Sequence, residues 1–253
     1  ASAVLSGLIT KMGVFAIIRV VYYLYGWDFL SGTWVQRTVL ILSLVTVLMG
    51  STLALREDTL KKRLAYSTVS QVSYILFGLL LLNPAGMTGA FLHVIFHAVI
   101  KSGLFLCAGA IIFRTGKTRV DELRGIGKEM PVTIGCMTLL SLALIGIPPA
   151  SGFVSKWYLA VGSLSSETGF YSWLGPVVLL LSALLTAGYL LPITMKGFFP
   201  GEEESRKGFV RKEADSVMLV PILLLAVLAV VLGMFPGGLI SLISNIAQQL
   251  FQM

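Results

Sequence analysis

Apolar windows of about 20 residues, the length that crosses a bilayer core as a helix, recur along the chain between short polar connections. They fall at roughly 2–25, 36–55, 63–82, 88–113, 131–164, 173–195 and 216–235. The fifth is too long for one crossing at about 1.5 Å per residue, and Gly146-Ile147-Pro148-Pro149 stands at its middle. Proline breaks a helix interior, so one discontinuous span with an unwound centre is predicted. The expected fold class is an all-α membrane protein of about seven transmembrane helices, one of them broken. They form a single transmembrane domain over residues 1–253.

Composition agrees with this pattern. The 253 residues are 56% hydrophobic and 12% charged, with a mean hydropathy of +0.89; a soluble domain carries about 25% charged residues. Charge placement supplies an orientation. Arg56, Lys61, Lys62 and Arg63 lie in the second connection. Arg114, Lys117, Arg119, Arg124 and Lys128 lie in the fourth, and Lys196, Arg206, Lys207, Arg211 and Lys212 in the sixth. The connections around 26–35, 83–87 and 165–172 hold no basic residue. The positive-inside rule then puts the three basic connections in the cytoplasm, with residue 1 inside and the C-terminus outside. The net charge of +7 does not indicate nucleic acid, because the basic residues occupy loops between apolar runs and form no binding face. Cys107 and Cys136 lie in separate apolar runs without metal-ligand spacing and read as buried thiols. The stretch Gly201–Asp215 reads as a solvated mixed-charge loop. Residue 1 opens inside a helix without an initiator Met, so the segment reads as the interior of a longer polypeptide.

Of the 19 basic residues, the loops leave five: Lys11, Arg19, Arg37, Lys101 and Lys156. Arg37 starts a helix, and Arg19 can snorkel toward the interface near Tyr22 and Tyr23. The other three have no such explanation. FLHVIFHAVIKSGLF (91–105) carries both histidines of the chain, with His93, His97 and Lys101 at i, i+4 and i+8. Each step of four residues drifts only about 40° around a helix, so the three form one stripe about 12 Å long. A lysine near the bilayer midplane costs about 2.5–3.5 kcal/mol on insertion scales; it needs water, a partner, or release of its proton. Packed residues paired to a carboxylate would satisfy the pattern. His93 and His97 as haem or metal ligands are a weaker alternative, since the spans hold no Asp or Glu. A proton or cation relay fits best, because histidine titrates near neutrality and a desolvated lysine can be brought there.

Lys156 follows the Pro148-Pro149 break in GIPPASGFVSKW, about one turn into the second half-helix. Broken helices at membrane depth line polar cavities and build ion sites in transporters; a kink with a snorkelling lysine is the plainer alternative. Lys11 lies about halfway along the first span. In the third span Ser67, Ser70, Gln71 and Tyr74 recur at i, i+3, i+4 and i+7, one helical face that serves either as interhelical glue or as a hydrated wall.

LKKRLAYSTVSQVSY, FLHVIFHAVIKSGLFLCAGA and IGIPPASGFVSKW resemble, in order and spacing, the proton-translocating antiporter-like subunits of complex I. Multi-subunit cation/proton antiporters and membrane-bound hydrogenases share that subunit type. The resemblance covers nearly all of the chain and implies the second half of a fourteen-helix fold with inverted repeats. It implies that Lys11 bridges two half-channels, that Lys101 with His93 and His97 is the central relay, and that Lys156 on the broken helix leads toward one surface. Lys61 matches a lysine at a cytoplasmic entrance, although positive-inside charge alone would place it there. The family's essential glutamate and first-repeat lysine would lie before residue 1. SGFVSKWYLA looks most like the D-type antiporter subunit.

The resulting expectation is proton, or Na+/H+, translocation by a subunit without a redox centre or cofactor of its own. Its partners would be other membrane subunits, H+ alone or with Na+, and lipid. Its location would be the bacterial cytoplasmic membrane, and the parent could be an NADH:quinone oxidoreductase-type complex. At an effective ε of about 20, two charges about 8 Å apart interact by about 2 kcal/mol, enough to displace a proton from one site to the next. Structural or cofactor-binding use of the histidines is the rival reading.

Overall fold

The computed structural model describes residues 2–166, 168–199 and 210–252. Glu202-Glu203-Glu204, Arg206 and Lys207 of the sixth connection lie outside the described residues. The described chain is helical, with one isolated β-bridge between Thr59 and Arg119. Helix α1 spans Ser2–Tyr25, with π-turns at Leu5–Ile9 and Arg19–Tyr25. It is followed by α2 (Trp34–Arg56), α3 (Leu60–Leu80), α4 (Pro84–Thr115), α5 (Pro131–Ile145) and α6 (Ser151–Leu164). The last three are α7 (Phe170–Phe198), α8 (Ser216–Met234) and α9 (Gly237–Gln252).

Five of these, α1, α2, α4, α7 and α8, are long and apolar enough to cross a membrane. Helix α3 is long enough but too polar, because it carries Lys61, Lys62, Arg63, Ser67, Thr68, Ser70, Gln71 and Ser73. It tolerates its uncharged polar groups by lying inside the bundle, where Ser67, Ser70, Gln71 and Tyr74 are fully buried, while Lys62 at its start is exposed. The fifth apolar window is two half-helices, as its prolines predict. Helix α5 stops at Gly146 in a left-handed conformation (φ 94°), open to a residue without a Cβ. Ile147–Ala150 turns the chain, with a cis bond between Pro148 and Pro149.

Local signals set the other ends. Pro84 opens α4 behind Asn83, whose side chain accepts from the Gly86 amide (2.7 Å), a side-chain cap beside an N1 proline. The fourth span therefore starts four residues before the apolar pattern does. Pro131 opens α5, where the Glu213 carboxylate accepts from the amides of Val132 (2.8 Å) and Thr133 (3.3 Å). The tail after α8, too short for a further span, is an amphipathic helix. It buries Ile243, Ala247 and Leu250 and brings the Phe251 ring onto Tyr22 and Trp27 (centroids 5.6 and 5.2 Å).

Helices α3 and α4 occupy the centre. Small residues bring α4 and α6 to backbone contact: a Cβ on Gly162 would overlap the Gly86 backbone, and one on Gly89 the Leu159 backbone. The basic connections meet at one end of the bundle. Leu60 N donates to Thr118 O (3.0 Å), Val120 N to Asp58 O (2.9 Å), Gly125 N to Lys196 O (2.9 Å) and Lys212 N to Glu129 O (2.8 Å). Arg119 pairs with Asp58 (3.3 Å) and Asp121 (3.2 Å), and Lys196 reaches Asp121 (3.6 Å). The hydrogen bond from Arg119, with Lys196 adding its charge, holds the Asp121 carboxyl below its ordinary 3.8. The connections without basic residues share the other end, where Asn83 donates to Gly162 O (2.7 Å) and Gln36 to Leu80 O (2.9 Å).

Candidate functional site

The residues singled out in α1, α3, α4 and α6 converge on one buried polar row. Lys11, His93, His97 and Lys101 are all buried. At one end, the Lys11 ammonium donates to the Ser6 carbonyl, one turn back along α1, the direction helical side chains lean. The Ser6 hydroxyl meets the Thr68 hydroxyl at 2.7 Å. Thr68 donates to Leu64 O (3.0 Å), and the same carbonyl accepts from the Lys101 ammonium (2.9 Å). Ser6 and Thr68, with the carbonyls of Ser6 and Leu64, thus join the two lysines. Lys101 donates also to the Ser67 hydroxyl.

His97 comes next along α4. Neither of its ring nitrogens has a hydrogen-bond partner among the described residues, although the residue is 1% exposed. Buried groups of this kind are normally met by water. Its ring stacks on that of His93 at 5.8 Å. His93 is held on both sides: Nδ1 lies 2.9 Å from the Ser155 hydroxyl and Nε2 3.1 Å from Gln71 Oε1. Gln71 Nε2 and the Ser151 hydroxyl are, like His97, buried without a hydrogen-bond partner among the described residues. Tyr74 stacks on the other face of the row, 5.5 Å from His93, and its ring lies 5.4 Å under the Lys156 ammonium.

Lys156 closes the row at the helix break. Its ammonium donates to Leu144 O (2.7 Å) and Ile145 O (2.8 Å), carbonyls of the last turn of α5 that the break leaves without intrahelical donors. A cation at a helix C-terminus is favoured by the helix dipole, so the break at Pro148-Pro149 provides the seat of Lys156. Lys61 is not in the row. It lines a groove of about 520 Å³ between α1 and α3, together with Lys62, Ser6, Thr10 and Thr68, which opens onto the link between Lys11 and Lys101.

The α3 face divides. Ser67, Gln71 and Tyr74 touch the row, whereas Ser70 turns to α2 and α7, bonding Ser51 (2.8 Å) and Val47 O (2.8 Å) and lying 3.3 Å from Ser182. Three contributors escaped the sequence reading: Ser6 and Thr68, which join the lysines, and Ser155, which holds His93. Isolated Ser and Thr are common in apolar helices and give no spacing signal. A signal was present in α7, where Ser182, Thr186 and Tyr189 stand at i, i+4 and i+7 and all are fully buried. Arg63 beside them is also buried, donating to Glu57 O (2.7 Å) and Tyr189 O (3.0 Å).

Residues 1–186 match the family described as NADH:quinone oxidoreductase/Mrp antiporter, TM. NADH-quinone oxidoreductase subunit N of Desulforudis audaxviator is 38% identical, the match covering 94% of this chain and 49% of that protein. Hydrogenase-4 component B of Escherichia coli is 33% identical over 98% of this chain and 39% of its own length. Among solved structures, a chain of the Mrp complex from Dietzia sp. DQ12-45-1b superposes with a TM-score of 0.86 at 26% identity, over 98% of this chain and 53% of that one. A chain of respiratory complex I from Thermus thermophilus shares the fold with a TM-score of 0.77 at 24% identity, covering 97% of this chain and 52% of that one. The chain spans about half the length of the curated relatives it matches. The matches range over several kinds of complex, so what they share is the family rather than the D-type. Its helices, its apolar surface and this match make the chain an integral membrane protein, and it belongs to the NADH:quinone oxidoreductase/Mrp antiporter transmembrane family.

Proposed function

We propose that the chain is the second, ion-translocating half of an antiporter-like subunit that moves protons, or exchanges Na+ for H+, along the row Lys11–Lys101–His97–His93–Lys156. The observation that carries this reading is the row itself: five ionisable side chains joined or stacked through the centre of an apolar bundle, with no Asp or Glu in any apolar window to neutralise them. An intramembrane ionisable group marks an ion path more often than a structural pair. Protonation of one lysine raises the cost of protonating the next, and the hydroxyls, histidines and water at His97 offer the exchange path. Lys61 would stand at a cytoplasmic entrance, and Ser67, Gln71 and Tyr74 would form the wall of the path. Ser70 would tie helices together.

In this reading α1, α2, α3, α4, the α5–α6 pair, α7 and α8 make seven crossings within one transmembrane domain, half of a fourteen-helix inverted-repeat fold. The clustering of the basic connections at one end supports a cytoplasmic placement of that end, with residue 1 inside, the C-terminus outside, and the bacterial cytoplasmic membrane as the location. The partners would be further membrane subunits, H+ or Na+, and lipid; any redox chemistry would belong to those other subunits. A haem or metal role suits the site less well, because His93 has both nitrogens engaged by Ser155 and Gln71. Lys101→Ala in the assembled parent complex tests the proposal. Translocation in reconstituted vesicles should fall to background with assembly intact, and normal translocation would defeat it. A Soret band or stoichiometric metal in the purified protein would favour the cofactor reading instead.

A further inference from the structure

We infer that His93 takes up and releases its proton at Nδ1 alone, and that the Ser155 hydroxyl, on α6, mediates that exchange. This inference rests on the relay proposed above and deepens it by naming the atom at which the ring works. His93 is 2% exposed and both of its nitrogens are engaged. Nε2 lies 3.1 Å from Gln71 Oε1, and Nδ1 lies 2.9 Å from the Ser155 hydroxyl. The two partners differ in kind. An amide oxygen only accepts, so Nε2 carries a hydrogen whether the ring is neutral or charged. A hydroxyl both donates and accepts, so Ser155 can serve Nδ1 in either state.

A second bond of Ser155 distinguishes the two states. Its hydroxyl also donates to the Gly152 carbonyl at 3.2 Å, and a hydroxyl has a single hydrogen to give. With a charged ring, Nδ1–H donates to Ser155 and Ser155 donates to Gly152 O, so each group is served in the right sense. With a neutral ring, Nδ1 is an acceptor, and Ser155 has to turn from Gly152 O to His93. The charge of His93 and the orientation of one hydroxyl at the start of the second half-helix are therefore a single variable. Ser151 lies one turn back on the same face of α6. It is fully buried, and its hydroxyl has no hydrogen-bond partner among the described residues, a group that water normally meets. It marks the side from which water reaches Ser155. The titratable neighbours Tyr74 on α3 and His97 on α4 stack on the ring, with centroids 5.5 and 5.8 Å away. Lys156 lies beyond Tyr74, and Lys11 and Lys101 stand farther along the row.

The step needs only water as co-reactant. Loading starts from the neutral ring, with Ser155 donating to Nδ1. A protonated water gives its proton to the Ser155 oxygen as Ser155 gives its own to Nδ1. At Ser155 one O–H bond forms and one breaks; at Nδ1 one N–H bond forms. The new hydroxyl hydrogen faces away from His93, toward Gly152 O. Unloading is the reverse: Nδ1 returns its proton to the Ser155 oxygen as the hydroxyl hydrogen passes to water. Nε2–H stays on Gln71 throughout. Stacked ring faces offer no proton path, so His93 is served from the α6 side.

Two readouts on the assembled parent complex test this. Solid-state NMR with isotope-labelled histidine, His93 being isolated by subtracting the spectrum of His93→Asn, reads the tautomer at alkaline pH. The expected ring carries its hydrogen on Nε2, with Nδ1 accepting a hydrogen bond. A neutral ring with its hydrogen on Nδ1 overturns the inference, whatever the transport rate. Translocation in vesicles is the second readout. Ser155→Ala should lower it at least tenfold with unchanged assembly and thermal midpoint, and Ser155→Thr, which restores the hydroxyl, should recover part of the loss. Ser163→Ala deletes another buried hydroxyl of α6, one that donates to Ser172 O (2.9 Å), and should stay within twofold of wild type. A Ser155→Ala rate within twofold of wild type overturns the inference, and so does an equal loss in Ser163→Ala, which would assign the effect to packing. If Ser155→Ala assembles poorly, the tautomer of the wild-type ring decides. Lys101→Ala in the same series separates the two claims: if it translocates normally the relay itself falls, whereas a dead Lys101→Ala beside a normal Ser155→Ala removes only Ser155.

Discussion

His97→Leu separates a packed histidine from a wetted one. The side chain is 1% exposed and neither nitrogen has a hydrogen-bond partner among the described residues. Leaving a buried donor or acceptor unsatisfied costs about 1–3 kcal/mol each. A dry, neutral imidazole, with one donor and one acceptor, would then carry about 2–6 kcal/mol of penalty. Leucine in a dry site would recover that and raise stability strongly. If water meets both nitrogens, the penalty is already relieved and the gain is below about 1 kcal/mol. The effect on transport runs the other way. His97 stands between Lys101 and His93, whose α-carbons are separated by about 12 Å of helix. An apolar side chain there asks a charge to pass a stretch whose insertion cost is about 2.5–3.5 kcal/mol, a rate loss of roughly 10²-fold. Dye-monitored proton uptake in vesicles holding the parent complex, beside thermal unfolding in detergent, measures both. The expected pair is a large loss of transport with little gain in stability. Near-normal transport with a gain of several kcal/mol would refute the reasoning and make His97 a dry packing residue.

Other consequences can be checked one at a time. Thr68→Val keeps the shape but strips the hydroxyl that joins Ser6 to Leu64 O. It should cost about 1–3 kcal/mol through the orphaned Ser6 hydroxyl and slow translocation, and a variant unchanged in both denaturation and transport would make the Lys11–Lys101 link incidental. A Cβ at Gly152 would fall on the Ala143 carbonyl, so Gly152→Ala should part the half-helices at a cost of about 1–3 kcal/mol and lift Lys156 off its carbonyls. Reagent access to a cysteine at position 156 should rise, and unchanged access would contradict that. At the loop end, a carboxyl held below its ordinary value adds stability that is complete above 3.8 and lost as pH falls through its lower folded value. Asp121→Asn should therefore speed hydrogen exchange at Val120 by a factor that is constant from pH 8 to pH 5; a factor that varies across that window would assign the loop contacts to other groups.

What the sequence disclosed and what it withheld follow from the range of each interaction. The helices were legible because a membrane span is a local property, and Pro148-Pro149 announced the break. Lys11, Lys101 and Lys156 stood out because an isolated charge in an apolar run is costly. Their partners did not. Contact between His93 and Gln71 depends on the register of α4 against α3, which no single helix encodes. Ser70 was grouped with Gln71, yet adjacent residues point about 100° apart on a helix, and Ser70 faces Ser51 instead. The α7 face of Ser182, Thr186 and Tyr189 had the right spacing, but hydroxyls in membrane helices commonly bond their own backbone, as Thr186 does to Ser182 O (2.7 Å).

The central claim is that Lys101 works by exchanging its proton and not as a fixed charge. Lys101→Arg in the assembled complex, with translocation measured in vesicles, tests it most directly. Arginine keeps the positive charge and the donors facing Leu64 O and Ser67, but its pKa above about 12 leaves less than about one molecule in 10⁴ neutral at pH 8. The account predicts translocation at or near background with assembly retained. Translocation at the wild-type rate would contradict it, because a permanently charged group would then suffice at the centre of the row.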